Sequence, residues 1–161
     1  MTGITPFLWY DNQAEEAANY YCGIFKNSRI VSVSRYTESG TEIHGRPAGS
    51  VMAVAFELNG QPFSALNGGP HFKFTEAISL QIDCKTQEEV DHYWQKLSAG
   101  GDPKAQQCGW VKDKYGLSWQ VVPAVLFEML EDKDRKKAGR VMDAMLHMKK
   151  LDIKGLEAAY G

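Results

Sequence analysis

The chain has 161 residues, 43% of them hydrophobic and 24% charged, ordinary globular values that exclude disordered and fibrous classes. Lys plus Arg total 18 against 20 for Asp plus Glu, a net charge of −2, and the basic stretch Lys133–Arg140 also holds Asp134, so nucleic acid, which needs a clustered positive footprint, is not an expected partner. Its longest apolar run, Val51–Phe56, falls far short of the roughly 20 residues of a membrane span, and Met1–Pro6 has neither the basic region nor the apolar core of a signal peptide, so the protein reads as soluble and cytoplasmic.

An apolar stretch, Phe7–Tyr10, opens the chain as a strand and is followed by a helical pattern. Asn12 stands as its cap with Glu15 three residues on, and Ala14, Ala17, Ala18, Tyr21, Ile24 and Phe25 share one face. Ser28–Tyr36 alternates as a strand. Thr37–Gly49, polar and carrying three glycines and a proline, is a long excursion. Ser50–Leu58 and Gln61–Asn67 read as two strands joined at Asn59-Gly60, a two-residue hairpin signal.

The pattern then returns. Gln87-Glu88-Glu89-Val90-x-x-Tyr93-Trp94-x-x-Leu97 repeats Ala14-Glu15-Glu16-Ala17-x-x-Tyr20-Tyr21-x-x-Ile24 at an offset of 73 residues, again after an apolar stretch, Ile78–Ile82. Thr86 and Glu89 mark the second helix's start and Gly100-Gly101 its end. Strand candidates follow at Ala105–Lys112, weakly marked, and at Leu117–Val122, with a turn at Asp113–Gly116 between them. A period this long implies two copies of one supersecondary unit rather than a solenoid. The order is βαβββ, βαβββ, then a helical tail over 124–161, with helices at Val125–Leu130, around Val141–Leu146 and at Ile153–Tyr160, and Asp134 and Asp152 as caps. This is mixed α+β architecture rather than a doubly wound parallel sheet. Val141, Met142, Met145 and Leu146 form a stripe that reads as core or dimer contact.

Catalytic motifs are missing. There is no G-x-G-x-x-G between strand and helix, no H-E-x-x-H, no G-x-S-x-G and no Walker sequence, and nothing marks a cleft for S-adenosylmethionine. Cys22, Cys84 and Cys108 form no CxxC pair and read as buried apolar residues of a reducing compartment. His44, His71, His92 and His147 are scattered singly. Of these His71, between the two copies, is the candidate for ligand contact.

Several segments together carry a family resemblance: Pro6-Phe7-Leu8-Trp9-Tyr10-Asp11, the E-E-A-x-x-Y-Y helix, Asn67-Gly68-Gly69-Pro70, Thr75–Leu80, and Asp113-x-x-Gly116-x-Ser118-Trp119. They resemble the PhnB-like branch, labelled demethylubiquinone 3-methyltransferase-like, of the vicinal-oxygen-chelate superfamily of glyoxalases, bleomycin-resistance proteins and extradiol dioxygenases. The superfamily pattern covers about residues 4–123, as paired modules at about 4–70 and 75–123, and the branch extends through the tail. The resemblance implies two βαβββ modules whose sheets curl into a cup that takes a small molecule, with the tail packing on the domain or on a dimer partner. Metal-dependent members hold their ion with residues of the first and last strands of each module. Here those positions are Gln120 and Ser64, with Ile4 or Thr5 and Ala77 or Ile78 on the first strands, and none is an adequate donor for a divalent metal. No metal and no cofactor is therefore expected.

The expected pocket residues are Leu8, Ser64, Asn67, His71, Gln81, Trp110, Ser118 and Gln120. Leu8 and Gln81 match at the offset of 73, and Trp110, Asn67, Phe72 and Phe74 stand where they would close the mouth. The functional expectation is a metal-independent small-molecule-binding protein. The alternative is an enzyme in the same cup with Glu57, Glu76 or His71 as its acid–base group. The assembly expected is a homodimer to which the tail contributes, since open sheet edges need covering.

Overall fold

In the computed structural model, which describes residues 2–161, the chain forms two compact units, Met1–Lys73 and Phe74–Gly161. The first comprises β1 (Phe7–Tyr10), α1 (Ala14–Ile24), β2 (Arg29–Arg35), a short α2 (Thr41–His44) within the polar excursion, β3 (Val51–Leu58) and β4 (Gln61–Asn67). Its sheet has the order β1-β4-β3-β2, with β1 parallel to β4 and the other pairs antiparallel. The β3–β4 hairpin turns where Asn59 and Gly60 take φ values of 50° and 79°, the left-handed pair that a two-residue turn matched to strand twist requires. Alternation then gives the sheet two faces. Leu8, Tyr10, Val54, Phe56, Leu58, Phe63 and Ala65 are buried on the helix side, against Ala14, Ala17, Ala18, Tyr21 and Ile24 of α1. Phe56 stacks on Phe63 with ring centroids 5.4 Å apart.

The second unit holds β5 (Leu80–Cys84), α3 (Gln87–Ser98), a 3-10 turn (Pro103–Ala105), β6 (Trp110–Lys112) and β7 (Ser118–Pro123), followed by α4 (Val125–Leu130), α5 (Arg135–Leu146) and α6 (Ile153–Tyr160). Its sheet has only three strands, in the order β5-β7-β6, with β5 parallel to β7. The fold class is thus mixed α+β with two open mixed sheets and C-terminal helices, but the second copy is one strand short of βαβββ. The expected strand over 105–112 survives only as β6. Cys108 and Gly109 turn into left-handed conformations, φ 51° and 85°, and their N–H groups go to the carbonyls of Met148 and Lys149 at 2.9 and 2.8 Å. The backbone that a further strand would have used is engaged by the tail.

That tail is built into the second unit. Val122 of β7, Leu126, Met129, Val141, Leu151 and Leu156 form one buried cluster. Gln87 at the start of α3 pins it with both ends of its amide, accepting from Ile153 N at 2.8 Å and donating to Leu151 O at 3.2 Å. Asp134 and Asp152 cap α5 and α6 as their positions imply. The expected stripe on α5 divides: Val141 is buried and Met145 half-buried, whereas Met142 and Leu146 are 46% and 50% exposed.

Candidate functional site

The two helices of the repeat start differently. Thr86 caps α3 locally, its Oγ1 accepting from Glu89 N at 3.2 Å. No side chain of the preceding turn caps α1: Asn12 does not fill that role, and the Ala14 N–H instead donates to Oδ1 of Asn67, 2.8 Å away and 53 residues on. Asn67 is buried, and its Nδ2 donates to Val51 O at 3.2 Å while its own carbonyl accepts from the Tyr36 hydroxyl at 2.6 Å. It ties α1, β3, β4 and the end of β2 together. The Gly68-Gly69 that follows clasps Trp9. A Cβ on Gly68 would fall 2.2 Å from the Trp9 ring, and Trp9 Nε1 donates to Gly69 O at 2.9 Å. Phe72 meets the same ring edge-on at 4.9 Å between centroids. The Asp113 motif is likewise a built turn: the buried carboxylate accepts from the N–H groups of Tyr115 and Leu117 and, at 2.8 Å, from Trp119 Nε1.

Of the eight pocket candidates, four lie in each unit, and the structure brings three into one row. Gln81, Gln120 and Trp110 sit side by side across β5, β7 and β6, away from the buried row of Trp119 and Val111. Gln120 donates to Ser79 Oγ at 2.9 Å and Gln81 to Asp83 Oδ1 at 2.7 Å. Ser118, two residues along the same face, is buried opposite Lys112. In the first unit Ser64 is half-buried on the face that α1 does not cover, in a row with Phe7 of β1 and Ala55 of β3. Asn67 is committed to the contacts above, and His71 is exposed in the segment after β4.

Leu8 needs correcting: it lies on the helix side and is core. The turn from β1 to α1 is three residues, Asp11–Gln13, whereas β5 to α3 takes two, Lys85-Thr86. The helices therefore match at 73 but the strands at 74, and a slip of one residue moves a side chain to the opposite face. The partner of Gln81 in the first copy is Phe7, exposed at the start of its strand. Trp9 shares that face, and neither was among the candidates.

A second feature was also missed. Asn12 and Glu15 at the start of α1, Arg46 from the excursion, Ser50 and Val51 at the head of β3, and Asn67 line a cleft of about 360 Å³. Arg46 donates to Asp11 O and lies 3.9 Å from its carboxylate. A polar excursion without periodicity gives no signal of what it will cover.

Among the described residues no group of three or more His, Cys, Asp or Glu side chains could hold a metal ion. The last-strand positions the resemblance singles out carry the Gln120 amide, whose Nε2 donates to Ser79, and the Ser64 hydroxyl. Neither group is of the imidazole, carboxylate or thiolate type that zinc, iron or nickel favours. Of the acid–base candidates, Glu57 pairs with Arg29 at 3.0 Å. Glu76 pairs with Lys112, whose hydrogen bond and charge hold the carboxyl below its usual range, the wrong direction for a proton donor near neutrality.

Residues 2–122 match the family model of 3-demethylubiquinone-9 3-methyltransferase. The chain belongs to that family. The PhnB protein from Bacillus cereus, which carries the same methyltransferase name provisionally, is 40% identical over 76% of this chain and 100% of its own, with a TM-score of 0.64. Protein PA1353 from Pseudomonas aeruginosa (16% identical, 74% of this chain and 95% of its own, TM-score 0.56) and the fosfomycin-resistance protein FosX from Listeria monocytogenes (18%, 82% and 99%, 0.51) share the fold. The PhnB-like assignment thus rests on the family model and on the Bacillus cereus protein. A comparison with curated proteins found no match. No helix among the described residues is long and apolar enough to cross a membrane.

Proposed function

We propose that this PhnB-like protein binds a small organic molecule without a metal ion, using the uncovered sheet faces. The observation that carries the reading is the identity of the last-strand residues: Gln120 and Ser64 replace the carboxylates a metal would need, and each stands in a row with an aromatic neighbour, Trp110 and Phe7 respectively. Such rows offer hydrogen-bonding amides and hydroxyls beside apolar surface, the mixture typical of small-molecule sites. Ser64, Gln81, Trp110, Ser118 and Gln120 are the contact residues of this reading; Asn67 positions the frame, and His71 stands at its margin. The family's methyltransferase name does not by itself establish methyl transfer, since fold and family carry many chemistries.

Elemental analysis of the purified protein, before and after incubation with zinc, nickel, manganese and ferrous iron, tests the reading. No stoichiometric metal should remain after desalting, and one tightly held equivalent would overturn it. A homodimer belongs to the same proposal, supported by the exposed Met142 and Leu146 on α5; light scattering at micromolar concentration should give twice the chain mass.

A further inference from the structure

The cleft at the head of α1 uses none of the open-face residues. Its floor is fixed: both ends of the Asn67 amide are engaged, and Ser50 Oγ donates to Pro47 O at 2.6 Å. Its roof is an ordered loop. Tyr36 and the far end of the excursion exchange backbone bonds, Tyr36 N to Ser50 O at 2.9 Å and Gly49 N to Tyr36 O at 2.8 Å. His44 packs on the Tyr36 ring at 4.5 Å between centroids, and its Nδ1 accepts from Arg46 N at 2.9 Å. Arg46 is thereby delivered over the cleft with its side chain only 23% exposed.

Within this rigid frame several groups remain uncommitted. Arg46 uses Nη2 on Asp11, which leaves its Nε and Nη1 without a protein partner among the described residues. The Asn12 amide and the Glu15 carboxylate, which also line the cleft, have no partner there either. The signs are mixed. A simple anion would meet Glu15, and the helix terminus offers it little because Ala14 N–H is taken by Asn67 and Glu15 and Glu16 fill the first turn. A simple cation would meet Arg46. A ligand carrying both signs can meet both lining side chains, with its carboxylate taking a charge-assisted bond from the free Nε–H or Nη1–H of Arg46.

We propose that this cleft is a second binding site, for a small zwitterion of the free α-amino-acid type: Arg46 takes the carboxylate, Glu15 takes the ammonium, and Asn12 donates or accepts at the edge. The site is independent of the metal-free sheet-face reading, and neither result decides the other.

Calorimetric titration at pH 7 with L-serine and glycine, against acetate and methylammonium as single-charge controls, tests it. The amino acids should bind with millimolar or better affinity and the controls at least about tenfold more weakly. Glu15→Gln, which leaves the loop untouched, should weaken L-serine binding by about tenfold or more, and Arg46→Gln by at least as much. Acetate binding as tightly as L-serine, no heat from either amino acid into the tens of millimolar, or unchanged binding by Glu15→Gln would overturn the proposal. A thermal melt of each variant verifies that it is folded, and Glu15→Gln keeps the test decisive if Arg46→Gln loosens its loop.

Discussion

The two copies of the repeat begin alike and are completed by different means. In the first unit the frame closes on itself: β4 returns beside β1, and Asn67 at its end caps the helix that follows β1. In the second, β7 returns beside β5 in the same way, but Thr86 caps the helix locally, the sheet stops at three strands, and the tail helices supply the missing apolar partner. A supersecondary unit thus preserves its strand–helix crossover while the means of finishing it are exchanged between a long-range amide and an added helical layer.

This comparison breaks most visibly at the tail. Deleting residues 124–161 removes Leu126, Met129, Val141, Leu151 and Leu156, which are all buried, along with the partners of Gln87, Cys108 and Gly109. At about 1.5–3 kcal/mol for each buried aliphatic side chain, the loss is comparable with the whole of the roughly 5–15 kcal/mol of a typical domain's stability. Amide exchange should show β5, β6 and β7 unprotected in the truncated chain. Retained protection there would mean that the second unit finishes its core without the tail.

The caps give a smaller contrast. Asn67→Ala orphans the buried Ala14 N–H and removes the bond to the partly buried Val51 carbonyl, and should cost about 2–4 kcal/mol. Thr86→Ala removes one bond at an exposed helix end, a loss of about 1 kcal/mol. Chemical denaturation of the two variants checks the order, and an equal cost would show that the long-range cap carries no more than the local one.

How much of this was legible in the chain depends on the range of the interaction. The helices were, because the stripes of α1 and α3 are local patterns and repeat at 73. The Asn59-Gly60 hairpin, the Asp134 and Asp152 caps and the Asp113 turn were legible for the same reason, since each is a short-range bond between residues a few positions apart. Asn67 as a cap was not, since its partner lies 53 residues away. The strand registration failed over the single residue by which Asp11–Gln13 exceeds Lys85-Thr86, which placed Leu8 on a face it does not occupy. The strand expected over Ala105–Lys112 is cut back to Trp110–Lys112 because carbonyls of the tail take the N–H groups of Cys108 and Gly109, and composition says nothing about such competition. The row of Gln81, Gln120 and Trp110 follows from strand alternation once register is known, whereas the Arg46 cleft depends on where a polar loop lands.

The smallest expected effect concerns the last core position of each first strand, Tyr10 in one copy and Cys84 in the other. Tyr10 meets the Tyr21 hydroxyl at 3.2 Å. Cys84 is nearly inaccessible, and burial, reinforced by the charges of Glu89 and Asp83, pushes its thiol up to about 12. Since the thiolate is the reactive form, Cys84 stays protonated at pH 8, and the folded protein should shield it from iodoacetamide. Cys22, also raised by burial but half-buried rather than enclosed, should react sooner. The sign for stability follows from a folded-state value above the unfolded one: the contribution is whole below the ordinary thiol range of 9.0 and is lost as the pH rises toward about 12. Mass spectrometry after timed labelling at pH 8 should find Cys84 unmodified until the protein is unfolded by denaturant. Labelling of Cys84 at the rate of Cys22 in the native protein would show that the second copy's first strand opens readily, and that its core is looser than that of the first.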